Sequence, residues 1–205
     1  MPSGLGEKAR LRGERLAARD ALTQGERYTK SLAMSVCGAA RIDFKPGAVI
    51  SGFMPIRSEA DVRPLMEALR RKGAGLALPV VLSRETIVFR AFEADAPLVN
   101  TGFGTTGPGD DAQVLDPDIL LVPLAAFDRQ GHRIGYGAGH YDRAVARLRE
   151  KGRDPVLIGV AFDCQEVVSV PAEPHDVPLH AILTESGLRR VSPPPVTSDG
   201  GQTAI

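Results

Sequence analysis

The chain has 205 residues, 43% of them hydrophobic and 24% charged, which suits one domain with a substantial core. Its 25 Lys and Arg balance its 25 Asp and Glu, so no net field favours nucleic acid or an anionic membrane, and neither partner is expected. No apolar run reaches the length of a membrane span, no signal-like apolar stretch follows Met1, and Cys37 and Cys164 form no C-x-x-C pair, which together predict a cytoplasmic protein with two buried, reduced thiols.

Residues 1–6 are expected to be flexible, residues 7–191 to form one α/β domain, and residues 192–205, with three consecutive prolines, to be a disordered tail. Apolar spacing predicts a helix over 7–22, a stop at 23–25 and a second helix over 26–40. Pro46-Gly47 marks a turn, and 48–53 is a short apolar run of strand length. Val62, Leu65, Met66 and Leu69 share one face of a helix expected over 59–72, with Gly73 as its stop. Strands are expected at 76–82 and 86–92, and the glycine-rich stretch 100–111 reads as a loop. Residues 119–123 are apolar throughout, as in a strand covered on both faces of a parallel sheet. A turn at 127–131, a glycine motif, a helix at 141–151, a strand at 155–162 and a short strand at 181–184 complete the pass. Strands alternating with helices predict a mostly parallel sheet flanked by helices.

The sharpest chemical signal is Arg133-Ile-Gly-Tyr-Gly-Ala-Gly-His-Tyr-Asp142. Glycines at 135, 137 and 139 let the backbone turn its N–H groups toward an anion, and the helix that follows adds its own free N–H groups. Arg133 is expected at the loop entrance, paired with phosphate oxygens. The spacing is G-x-G-x-G, neither a dinucleotide fingerprint nor a P-loop, and three glycines alone equally suit a plain strand-to-helix turn.

Three further segments carry polar chemistry. Lys8, Arg12, Arg15 and Arg19 fall on one helical face; Arg15 and Arg19 read as solvated, while Lys8 and Arg12 stand at the end able to reach a ligand. His175-Asp176 lies in a proline-punctuated loop and reads either as an acid or metal site or as a capped turn. Met54 and Glu59 follow the first strand, where α/β sheets place ligands, although on the residues alone Glu59 reads first as the N-terminal acid of the following helix. His132 and His180 read as surface or structural residues.

In this order, the segments resemble the 5-formyltetrahydrofolate cyclo-ligase (methenyltetrahydrofolate synthetase) family. The likeness rests on Lys8-Ala-Arg-Leu-Arg12, residues 52–59, Leu121-Val-Pro123, Phe127-Asp128, Gly131, Arg133, the glycines to 139 and Tyr141-Asp142. It continues through Gln165, Pro171, His175-Asp176 and Thr184-Glu185. The resemblance implies a Rossmann-like sandwich related to sugar-phosphate isomerases and CoA transferases. It implies a ligase of one-carbon metabolism that converts 5-formyltetrahydrofolate to 5,10-methenyltetrahydrofolate and turns ATP into ADP and phosphate with Mg²⁺. Residues 8–12 (Lys8, Ala9, Arg10, Leu11, Arg12) and 133–141 (Arg133, Ile134, Gly135, Tyr136, Gly137, Ala138, Gly139, His140, Tyr141) would bind ATP. Arg12, Arg133 and Tyr141 would serve catalysis. Met54, Glu59, Arg12 and the stretch from Tyr136 to His140 would bind the folate, and Asp142 and Asp176 the Mg²⁺. A monomer acting on small molecules is implied.

Two other readings stay open on the residues alone. Tyr136, Ala138 and His140 depart from the residues usual in that family, and the stretch Gly104-Thr-Thr-Gly-Pro108 lacks the acid that commonly precedes its proline. A non-catalytic binder of folate or sugar phosphate on the same scaffold is therefore an alternative. A sugar-phosphate isomerase is the weaker one, since no acid and base pair for enediol chemistry can be placed.

Overall fold

The computed structural model describes residues 4–102, 105–173 and 176–191. Phe103, His175 and the tail 192–205 lie outside them. Two helices, α1 (Gly4–Asp20) and α2 (Gln24–Arg41), lead to β1 (Val49–Ser51), α3 (Arg63–Arg71), β2 (Gly75–Val81) and β3 (Ile87–Ala91). There follow β4 (Leu98–Gly102), β5 (Thr105–Pro108), β6 (Val114–Leu115), β7 (Ile119–Pro123), β8 (Ala126–Phe127) and β9 (Arg133–Ile134). The chain continues through α4 (His140–Glu150), β10 (Val156–Val160), a 3-10 turn (Asp163–Gln165), β11 (Ala181–Thr184) and β12 (Gly187–Arg190).

Among the described residues, eight strands form one sheet in the order β12-β11-β10-β7-β1-β2-β3-β6. The five central strands, β11 to β2, run parallel. β12, β3 and β6 each run antiparallel to their inner neighbour. The architecture is the mixed, mostly parallel sheet with helices on its faces that the pattern predicts. Side-chain alternation along β7 shows how the layers are built. Ile119 and Leu121 face a cluster that includes Met34 of α2 and Leu65, Met66 and Leu69 of α3. Leu120 and Val122 face the opposite cluster with Ala144, Val145 and Leu148 of α4. Leu120 and Leu121 are fully buried, and truncating either to Ala costs roughly 3 kcal/mol through lost transfer energy and the cavity left behind.

Several boundaries differ from expectation, each for a local reason. α1 begins at Gly4 and ends at Asp20. The stop at 23–25 is a helix start, because Thr23 and Glu26 form a capping box that opens α2. α3 begins at Arg63, with Pro64 in its first turn, so Glu59 is not its N-terminal acid. The expected loop at 100–111 is in part strand: β4 and β5 pair antiparallel. β12 escapes the pattern because Gly-Leu-Arg-Arg carries only one apolar residue. Cys37 and Cys164 are free and half-buried rather than buried. No helix among the described residues is long and apolar enough to cross a membrane.

Candidate active site

β1 and β7 are parallel neighbours, and their carboxyl ends deliver the two halves of the site. Residues 52–59 leave β1. β7 leads through the short β8–β9 hairpin to the glycine loop. That hairpin is fixed by Asp128, which is fully buried. One carboxylate oxygen accepts the N–H groups of Gln130 and His132 at 2.9 and 3.0 Å. The other accepts Val170 N–H at 2.9 Å and meets His132 Nδ1 at 3.1 Å. Gly131 closes the turn with φ 86°, and a side chain there would sit 2.8 Å from the Leu179 carbonyl oxygen. Both residues therefore aim the glycine loop without entering the site.

The loop itself needs its glycines unequally. Gly137 and Gly139 have φ of 100° and 65°, a left-handed backbone that L side chains resist. Gly139 is the residue from which α4 starts. Gly135 takes no such φ, and a Cβ there would meet nothing within 4 Å. Arg12 of α1 lies across the loop: its Nε donates to the Gly135 carbonyl at 2.8 Å. Its guanidinium stands 3.8 Å from where a Gly137 side chain would begin.

A cavity of about 360 Å³ opens here, walled by Lys8 and Arg12, by residues 133–143, by Val122 and Pro123 at the end of β7, and by Glu173 and Asp176. A wider depression of about 810 Å³ crosses the outer face of α1 against residues 166–169. Arg10 is paired there with Glu14 at 2.7 Å and Arg129 with Glu166 at 2.8 Å, and Arg15 donates to the Cys164 carbonyl at 3.2 Å. No chemistry converges there, and the smaller cavity is the candidate site.

Each acid of the site is held by a cation. Lys8 reaches Asp176 at 2.7 Å and Glu173 at 3.2 Å. Burial works against its charge, but those hydrogen bonds and charges prevail and hold the ammonium above its ordinary pKa. Arg133 donates to Asp142 Oδ1 at 2.7 Å and also to the Val177 carbonyl. Asp142 Oδ1 in addition accepts the Val177 N–H at 3.3 Å, which seats it beside the segment bearing Asp176. Arg133 is thus a buried strut, 7% exposed, and not the open cation expected at the loop entrance. The Tyr141 hydroxyl is buried with no hydrogen-bond partner among the described residues. Burial and the nearby charge of Glu59 push its pKa up, so it stays protonated.

Most residues expected in the site are brought together: Lys8, Arg12, Arg133, Ile134, the loop from Gly135 to His140, Tyr141, Asp142 and Asp176 all line the one cavity. Arg10 and Leu11 do not; they line the outer depression, and Ala9 is exposed and lines neither cavity.

 The helical period explains this, since Ala9, Arg10 and Leu11 turn away from the face that carries Lys8 and Arg12. Met54 is half-buried against the core cluster of α2 and α3. Glu59 meets the loop through Tyr136, whose hydroxyl donates to it, while Ile56 N–H donates to its other oxygen at 2.9 Å. Arg19, read from sequence as solvated, is 2% exposed and donates to the Tyr136 hydroxyl at 2.6 Å. His175 lies outside the described residues.

Residues 5–185 match the model of the 5-formyltetrahydrofolate cyclo-ligase family. The chain belongs to that family. It is 35% identical over 143 residues to the 5-formyltetrahydrofolate cyclo-ligase of Escherichia coli strain K12, covering 67% of this chain and 78% of that one. The cyclo-ligase of Haemophilus influenzae is 34% identical over 140 residues, 65% of this chain and 74% of its own. The solution structure of Aquifex aeolicus 5,10-methenyltetrahydrofolate synthetase superposes with a TM-score of 0.77 at 28% identity, covering 96% of this chain and 99% of that one. The Mycoplasma pneumoniae synthetase gives 0.69 at 26% identity over 87% and 99%. The segments that carried the likeness from sequence, from Lys8 to Thr184, fall within the stretch that the cyclo-ligase family model covers.

Proposed function

We propose that this chain converts 5-formyltetrahydrofolate to 5,10-methenyltetrahydrofolate, with ATP becoming ADP and phosphate. The observation that carries the proposal is the meeting of Lys8 and Arg12 with the glycine loop and with Asp142 and Asp176 around one cavity. A formamide carbon is a poor electrophile and its oxygen a poor leaving group. Transfer of the terminal phosphoryl group of ATP to that oxygen remedies both. N10 then attacks the activated carbon, loses its proton, and phosphate departs with the C–O bond. Ring closure is intramolecular, so the substrate brings its own proximity.

What the protein supplies is alignment and charge for the phosphoryl transfer. The free N–H groups of the loop and of the first turn of α4 face the phosphates. Lys8 and Arg12 neutralise them from the opposite wall. The orphaned Tyr141 hydroxyl is a donor waiting for an oxygen of a bound ligand. Glu59, held by Tyr136 and the Ile56 backbone, reads the polar edge of the pterin, with Met54 beside it.

Asp142 and Asp176 fit Mg²⁺ by donor chemistry. Both offer carboxylate oxygens, and the Val177 N–H bond to Asp142 draws them to one wall. Mg²⁺ bound to nucleotide phosphates needs only one or two protein carboxylates, so the lack of a three-residue ligand cluster among the described residues is compatible with it. When bound, Mg²⁺ would neutralise phosphate charge. Arg133 orients Asp142, and Lys8 orients Asp176.

The test is direct. Purified chain mixed with 5-formyltetrahydrofolate and MgATP is expected to develop the methenyl chromophore, with one ADP formed per ring closed. Absence of an ATP-dependent rise in absorbance would overturn the proposal.

A further inference from the structure

Arg19 is a buried cation whose side-chain hydrogen-bond partners among the described residues are two hydroxyls. Its Nε donates to Ser58 Oγ at 2.9 Å and its Nη1 to Tyr136 OH at 2.6 Å. A hydroxyl that accepts from an arginine still has its own proton to give. Ser58 gives it to Asp20, and Tyr136 gives it to Glu59. The positive charge of Arg19 is thus relayed through two hydroxyls to two carboxylates. The consequence at Tyr136 is specific: the residue is 39% exposed, so packing alone holds it weakly, yet its hydroxyl is fastened from both sides.

We infer that Arg19 is a positioning residue for the folate end of the site, holding the Glu59 carboxylate in register with the glycine loop through Tyr136. The inference rests on the cyclo-ligase function proposed above. Arg12 and Arg19 lie on the same helix two turns apart, about 10 Å along its axis. Arg12 grips the backbone of Gly135, and Arg19 grips the side chain of the next residue. One rigid helix therefore fixes the start of the loop at two successive residues, the Gly135 backbone through Arg12 and the Tyr136 side chain through Arg19. Burial disfavours the charge of Glu59, while Tyr136, the Ile56 N–H, Arg19 and Arg57 counter it. Arg19 is thus suited both to place that carboxylate and to keep it charged.

The experiment is calorimetric titration of the full chain, once with 5-formyltetrahydrofolate and once with a non-hydrolysable ATP analogue. The proteins are wild type, Arg19→Lys, Tyr136→Phe and the double variant. Arg19→Lys keeps the charge and the aliphatic stem but cannot serve both hydroxyls. It is expected to weaken folate binding roughly tenfold and to leave the nucleotide analogue within about twofold. The double variant is expected to bind folate no more weakly than the weaker single variant, since both changes break one relay. Wild-type folate affinity in Arg19→Lys, equal weakening of both ligands, or additive losses would each overturn the inference. If Arg19→Lys does not fold, Ser58→Ala decides, since it releases Arg19 on the side away from Tyr136: a folate-only loss supports the inference and unchanged folate affinity overturns it. A wild-type chain that binds the folate but makes no methenyl chromophore overturns the cyclo-ligase reading and leaves this one standing. A wild-type chain with no affinity for the folate overturns both.

Discussion

Arg133 and Asp142 form an ion pair at 2.7 Å inside the wall of the candidate site, with the arginine almost fully buried. The pair joins the strand that enters the glycine loop to the helix that leaves it, so the loop is clamped at its base. Asp142 also sits in the first turn of α4, where the helix dipole favours a negative charge.

Asp142→Asn is expected to keep the fold and lose about 100-fold or more in the rate of methenyl formation. The amide retains an acceptor for one Arg133 or Val177 donor but leaves the arginine without its counter-charge, at a cost of roughly 1–3 kcal/mol. Urea unfolding and the chromophore assay measure the two effects separately. A variant with near-normal turnover would remove Asp142 from the mechanism.

The glycines of the loop separate conformation from ligand contact. Gly137→Ala forces a side chain onto a backbone of φ 100° and is expected to cost about 1–2 kcal/mol of stability. Gly135→Ala meets no neighbour and no forbidden φ, so its unfolding midpoint is expected to match wild type. If phosphates lie against this backbone, Gly135→Ala still raises KM for ATP. Equal stability losses in both variants would contradict the backbone account.

Glu59 supplies a pH signature. Burial raises its pKa above the ordinary 4.5, and the hydrogen bonds from Tyr136 and Ile56 with the charges of Arg19 and Arg57 offset part of that rise. A carboxyl bound more tightly to its proton in the folded state contributes stability below the unfolded pKa, and that contribution is lost as pH rises through the folded value. The stability of wild type relative to Glu59→Gln is therefore expected to fall as pH increases from about 4.5 and then to level off. Chemical unfolding of both proteins between about pH 4 and pH 8 checks the sign; a difference that grows with pH would refute it.

Thr23→Ala removes the capping box at the start of α2, which lies apart from the cavity. A loss of about 1 kcal/mol is expected, with KM for both substrates unchanged. A shift in either KM would mean that α2 and the site are coupled.

What the sequence disclosed depended on the range of the interaction. The strand at 119–123 and the helix after the glycines follow from local pattern, because a buried parallel strand is apolar throughout and Gly139 can start a helix where other residues cannot. The recruitment of Lys8 and Arg12 came from ordered family likeness, since periodicity says which residues share a helical face but not what that face meets. Arg19 shows the limit. It shares a stripe with Arg15, and only the packing of α1 onto the far part of the chain reveals that it is buried. Glu59 was ambiguous for a related reason: acids open helices, and here Pro64 moves the opening to Arg63, which frees Glu59 for the site. In β12 and the β4–β5 hairpin, backbone pairing overrides a composition that reads as loop.

The long-range bonds of α1 join distant parts of the chain. Lys8 to Asp176, Arg15 to Cys164, Arg12 to Gly135 and Arg19 to Tyr136 span 168, 149, 123 and 117 residues. During synthesis α1 must therefore wait, with its cations solvated, until nearly all of its partners have left the ribosome. Closing such long loops comes late in folding as well. Affinity for nucleotide is accordingly among the last properties this protein acquires, and a chain cut short before residue 176 would lose β11 and β12 together with the anchor of Lys8, leaving neither a complete sheet nor a working pocket.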